Sequence, residues 1–245
     1  MAMRRLLLTG LALARLSAGP PFRTDDPQPV DLGHLELYVF AAGQHASGIG
    51  PALEFNYGIL PDTQFHLVAP FAYVRDPGLR TGPGDVEVGL KWRFLHETGT
   101  VPQIGVFPLV ELPAGDAARG LGAGHTQVYL PVWLQKSLGP WTTYGGAGWW
   151  RNPGARNWTY AGWLLQRDLG ERLTLGAEAF RTTAQTEDGH PAAGFTAGGQ
   201  INVSERHHLL FSAGRTDGQT FFYVGYQLTA GPFGNLADGF RRARP

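Results

Sequence analysis

The sequence predicts an all-β chain folded as an antiparallel, up-and-down transmembrane β-barrel of about twelve strands. Three observations lead there: apolar and polar residues alternate with a period of two, the connections alternate between long and short, and the composition suits a lipid-exposed sheet. Of the 245 residues 16% are charged and 12% aromatic, with 35 glycines and no cysteine. Soluble domains carry about 25% charge and about 7% glycine, half the glycine share of this chain. Abundant aromatics and a net charge of zero exclude disorder and remove the electrostatic case for nucleic acid. Without cysteine there is no disulfide scaffold, thiolate metal site or cysteine nucleophile. Beyond the N-terminus no apolar run is long enough for a transmembrane helix.

The first residues read as an address. Met1-Ala2-Met3-Arg4-Arg5 is basic, Leu6 to Ala14 is apolar, and Ser17-Ala18-Gly19 supplies small residues at a cut. That is the layout of a secretory signal peptide over residues 1–18. Arg15 and Leu16 depart from it, so the cleavage position stays open. Residues 19–32 are expected as an extended periplasmic segment, 33–230 as the barrel, and 231–245 as a polar tail with Arg241, Arg242 and Arg244.

Strands are expected to begin near His34, Pro51, Gln64, Gly84, Val101, Thr126, Trp141, Trp158, Arg172, Gly194, His207 and Thr220. The clearest runs from Asp85 to Phe94. Val86, Val88, Leu90, Trp92 and Phe94 share one face, while Asp85, Glu87, Lys91 and Arg93 share the other. The same division sets Leu35, Leu37 and Val39 against His34 and Glu36, and Leu53, Phe55 and Tyr57 against Glu54 and Asn56. Phe65, Leu67, Phe71 and Tyr73 form a third such face; Val128, Leu130, Val132 and Leu134 a fourth. Leu173 and Leu175 oppose Glu178. Around Tyr160 and Phe211 both faces carry apolar residues, and the pattern leaves their facing open.

Gly43–Gly50, Arg75–Pro83, Pro113–His125, Arg151–Asn157 and Thr182–Ala193 read as long connections. Leu60–Thr63, Gly139-Pro140, Leu169–Glu171 and Ser204–Arg206 read as short, with His96–Thr100 intermediate and Asp217-Gly218 a tight exception. Sorting loops by length between the two ends is a habit of outer-membrane barrels, whose periplasmic turns are the short ones. Trp141, Trp149, Trp150 and Trp158 at strand ends suit interfacial girdles. A soluble sandwich or lipocalin-like barrel also alternates, but a twelve-strand soluble surface calls for more charge than this chain has.

With the apolar faces in lipid, the lumen receives Glu36, Glu54, His66, Asp85, Glu87, Lys91, Arg93, Glu111, Glu178, Gln200 and Asn202. Either these charges line a polar path and set its selectivity, or they form a salt-bridge ladder that fills the interior. No cofactor, metal site or catalytic group is expected. The eight histidines show no ligand spacing, and Gly120-Leu121-Gly122-Ala123-Gly124 lacks the strand-to-helix setting of a nucleotide loop. Ser212 and His208 share a face but stand roughly 13 Å apart along one strand, too far for a hydrogen bond.

Pro20-Pro21-Phe22-Arg23-Thr24-Asp25-Asp26-Pro27, Gly84 to Phe94 and, more loosely, Trp158 to Trp163 resemble outer-membrane proteins of the "MetA-pathway of phenol degradation" family. The resemblance spans roughly Pro20 to Leu228. It implies an outer-membrane barrel often labelled a transporter and carries over no binding or catalytic residues. The last strand does not end the chain on an aromatic residue, as such barrels usually do. The expected function is a channel or transporter for a small solute in the outer membrane of a Gram-negative bacterium, in contact with outer-membrane lipid, the barrel assembly machinery and no nucleic acid. A plugged structural or adhesive barrel and a barrel-embedded hydrolase are the alternatives.

Overall fold

The computed structural model describes residues 20–75, 78–216 and 218–233. The expected signal peptide and nearly all of the expected polar tail lie outside the described residues. The strands are β1 Leu35–Gln44, β2 Ser47–Leu60, β3 Thr63–Val74, β4 Arg80–Pro83, β5 Val86–Leu95, β6 Gln103–Val106, β7 Leu109–Leu112 and β8 Gln127–Leu138. They continue as β9 Trp141–Arg151, β10 Trp158–Asp168, β11 Leu173–Thr182, β12 Ala192–Asn202, β13 His207–Thr216 and β14 Gln219–Ala230.

These segments make twelve staves. β4 and β5 share one, both paired with β3, and β6 and β7 share the next, both paired between β5 and β8. Phe107-Pro108 interrupts the second: proline has no N–H for a ladder, and Phe107 turns inward and is buried. β1 pairs with β14 from Leu35 opposite Ala230 to Gln44 opposite Phe221, so the sheet closes and leaves no free edge.

Closure fixes the faces. Val39, Leu53, Leu90, Trp92, Leu130, Trp163, Phe195 and Val224 are exposed on the outside. Their alternates Tyr38, Glu54, Lys91, Trp133, Tyr144, Leu164, Glu178 and Tyr223 are buried within. An outer face this apolar, and an inner face holding the acids, matches strands that stand in lipid. The two ambiguous segments are now assigned: Tyr160 and Leu164 point in while Trp163 and Leu165 point out, and Leu210 and Ser212 point in while Leu209 and Phe211 point out.

Several expectations need correction. β1 and β2 run on to a tight turn at His45-Ala46, so Gly43–Gly50 is not a long loop, and Arg80–Pro83 is strand. The sorting by length survives in 113–126, 152–157 and 183–191, all at the end away from the start of β1. Trp141 and Trp149 are exposed outside, as a girdle requires. Trp150 and Trp158 instead stack on each other at 5.3 Å and pack against the inner cluster of Phe107, Leu109, Tyr129, Trp133, Tyr160 and Phe180.

Residues 20–32 differ most from expectation. They do not extend beyond the barrel: from Gly33, whose N–H bonds the Gly58 carbonyl at the base of β2, the chain turns back and rises through the lumen. Thr24, Asp26, Pro27 and Val30 are buried there. The physical reason is that a closed polar lumen with unmet acceptors and cations binds a nearby extended segment better than water does.

Candidate functional site: an occupied lumen

The strap of residues 20–31 is held along its length by side chains of the wall. Near the base, Gln64 Oε1 accepts the Val30 N–H at 2.9 Å. Arg93 donates to Gln28 Oε1, to Gln103 Oε1 at 3.0 Å, and to Asp62 in the β2–β3 turn at 2.5 Å. Higher up, Lys91 Nζ donates to Asp25 Oδ1 at 2.9 Å and stands 5.0 Å from the centre of the Phe107 ring. On the opposite wall Glu178 accepts the N–H groups of Arg23 and Thr24 at 3.0 and 2.8 Å, and the Thr196 hydroxyl at 2.7 Å. Ser212 Oγ donates to the Pro21 carbonyl at 2.6 Å. Arg23 lies over Phe180 and Phe221.

Gly162 shows how closely strap and wall approach. A Cβ there would come within 2.2 Å of Thr24 Oγ1 and 2.5 Å of Tyr160 Oη. These two oxygens already share a hydrogen bond of 2.9 Å. Only glycine leaves room for it.

Beside the strap remains a cavity of about 180 Å³. Glu36, Glu54, His66, Glu87 and Lys91 line it together, facing Phe22, Phe107, Tyr129 and Trp133. The acids are not bare. Asn56 donates to Glu54 at 2.8 Å and turns its carbonyl to His66 Nδ1 at 2.6 Å, while His66 Nε2 meets Glu87 at 2.8 Å. Tyr38 donates to Glu36 at 2.6 Å and accepts from Gln227 at 2.8 Å. Each bond removes part of the cost of holding a carboxylate away from bulk water.

The other sequence-predicted residues lie apart. Asp85 accepts the N–H groups of Gly115 and Ala123 at 2.9 and 2.6 Å, tying loop 113–126 back against the wall rather than facing a path. Glu111 stands opposite Glu87 in the β5–β7 register but does not line the cavity. Gln200 donates to Asn202, which also meets His208 Nδ1, near the end that carries the start of β1. The two cations of β5 do not form a ladder with wall acids. Lys91 pairs with the strap and Arg93 with the turn. Ser212 bonds the strap and His208 bonds Asn202, so neither is aimed at the other.

Gln64, Gln103 and Tyr38 were not singled out from the sequence, and Asn56 was placed on the inner face beside Glu54 without a partner, because what each of them bonds is set by the strap and by neighbouring strands. The strap residues Arg23, Thr24 and Asp25 had a charge signal: two adjacent carboxylates before the first strand, where β5 offers a lysine.

The fold is similar to that of solved outer-membrane channels and porins. The COG4313 outer membrane channel from Pseudomonas putida F1 superposes with a TM-score of 0.67 at 16% identity, over 84% of this chain and 98% of that one. The KdgM porin in complex with disordered oligogalacturonate gives 0.59 at 10% identity, over 79% and 98%. The NanC porin gives 0.56 at 8% identity, over 79% and 98%. At such identities the likeness is one of fold. No protein-family model and no curated protein sequence matches the chain.

Proposed function

We propose that this protein is a channel for a small solute in the outer membrane of a Gram-negative bacterium, closed at rest by its own N-terminal strap. The observation that carries this is the lumen. It is polar, it retains a cavity, and what fills it is a single extended segment anchored mainly by individual side chains. A barrel serving only as a scaffold is more economically filled by wall side chains meeting one another. The solved barrels of this shape include channels and porins, and the likeness of Pro20–Pro27 and Gly84–Phe94 to the "MetA-pathway of phenol degradation" family points the same way. That family's name supplies no solute, and the cavity, with both carboxylates and aromatic rings, selects none by itself.

The second reading is a permanently plugged barrel, favoured by the number of strap anchors. Single-channel recording of the refolded protein in a planar bilayer decides between them, with Glu178→Ala as the partner sample. Rare openings in the native protein and frequent, uniform current steps in the variant are expected. Silence in both, with insertion shown by heat-modifiable mobility, rejects the channel. Among conducting barrels, Glu87→Gln is expected to change the preference between potassium and chloride.

A further inference from the structure

The strap carries a carboxylate that its seat does not satisfy. Asp26 is fully buried; its Oδ1 accepts the Gln28 N–H at 2.5 Å, but Oδ2 has no hydrogen-bond partner among the described residues. One ammonium, that of Lys91, faces two adjacent strap carboxylates, and its hydrogen bond goes to Asp25. Glu36 of β1 adds a further negative charge facing Asp26, the Gln28 N–H opposes it, and the buried Tyr144 hydroxyl of β9 lies within the field of Asp26. The seat therefore holds more negative than positive charge around a carboxyl cut off from solvent.

We infer that Asp26 makes the strap a pH-operated gate: with its carboxyl protonated the strap is seated and the lumen closed, and ionisation drives the strap out. This rests on the channel reading above and adds its regulation. Geometry sets the direction. Burial favours the neutral acid; Lys91 opposes this, and Asp25 and Glu36 add to it, so the group stands well above the ordinary carboxylate value. The seated state thus binds a proton that the released strap gives up. Closure is favoured at low pH and is lost as pH rises through the seated value.

The chain contains no cysteine, so Phe22→Cys gives a unique reporter on the strap. Its labelling by a membrane-impermeant maleimide is followed against pH in the full-length protein, in parallel with channel current. Asp26→Asn in the same background keeps the shape of the side chain and removes the titration. Dividing the two labelling rates cancels the thiol's own pH dependence. The ratio is expected to rise with pH, by at most tenfold per unit for one proton, and then level off. The Asn variant is expected to stay shut throughout. A flat ratio, or an Asn variant that opens with pH as the native residue does, overturns the gate. A rising ratio without current at any pH supports the gate and sinks the channel. Asp26→Leu, also uncharged, repeats the comparison if the Asn variant fails to assemble.

Discussion

The two walls of the lumen hold the strap in different ways. β1 to β5 present charged and amide side chains: Glu36, Glu54, His66, Glu87, Lys91 and Arg93. β8 to β14 present mainly rings and aliphatics, among them Trp133, Tyr144, Tyr160, Leu164, Phe180 and Leu210, interleaved with glycines such as Gly162. Glu178 and Ser212 are polar exceptions on the packed wall, and both grip the strap backbone. The contrast separates two jobs. Packing against rings sets how far the segment sits from the wall, with little directional preference. Charge-assisted bonds set its register, because they fail when displaced by more than a fraction of an ångström.

Substitution on each wall sharpens the contrast. On the charged wall, Lys91→Met leaves the partly buried Asp25 carboxylate, beside the fully buried Asp26, facing no ammonium. The expected cost is about 3–5 kcal/mol of strap seating, because a charge is orphaned rather than a pair removed. Limited proteolysis cutting within residues 20–31 of the folded barrel is the readout; an unchanged digestion pattern would break the assignment. On the packed wall, Leu164→Ala empties a fully buried position. It should lower barrel stability by about 2–5 kcal/mol in urea unfolding from detergent while the strap keeps its register.

A smaller effect is expected where the walls meet the strap most closely. Gly162→Ala forces Thr24 Oγ1 and Tyr160 Oη apart, at about 1–3 kcal/mol of overpacking. It should loosen the upper strap and raise channel open probability without unfolding the barrel. If thermal stability falls but opening does not change, the strap is not held by fit at this point. Smallest of all is the contact at the base. Burial alone would raise Asp62, but hydrogen bonding and charge from Arg93, with His96, leave it below the ordinary value. A carboxylate lowered on folding contributes stability above its unfolded value, about 3.9, and loses it as pH falls through the folded value. Since the pair is partly solvated, Asp62→Asn should remove about 1 kcal/mol or less at neutral pH and nothing at low pH. Unfolding midpoints at the two pH values test that sign.

Much of the barrel was legible beforehand for a local reason. Side chains on a strand alternate by geometry, so Val86 to Phe94 declared both faces of β5 without knowledge of any neighbour. Strand ends were less legible, because β1 and β2 extend through Gly43 and Gly48 by pairing with each other, and pairing is not local. The breaks at Gly84-Asp85 and Phe107-Pro108 likewise depend on register with β3 and β8. At the site, charge and alternation marked Glu36, Glu54, His66, Glu87 and Lys91 as inward-facing, and the cavity brings these five together. The same marks also picked Asp85, which serves a loop, because alternation reports a face and not a depth along the barrel.

What the chain's linear order determined is therefore the class of fold, the side of each strong strand that meets lipid, and the excess of acid in the interior. These follow from residue type and a period of two. What only the closed structure decided is which partners those residues take. Lys91 stands four residues from Glu87 on its own strand, yet it bonds Asp25, which is 66 positions away. Glu178 grips a backbone 154 positions distant. Such pairs form because closure encloses a volume that the turned-back strap fills. No local pattern encodes which segment will occupy a space that exists only after the last strand has met the first.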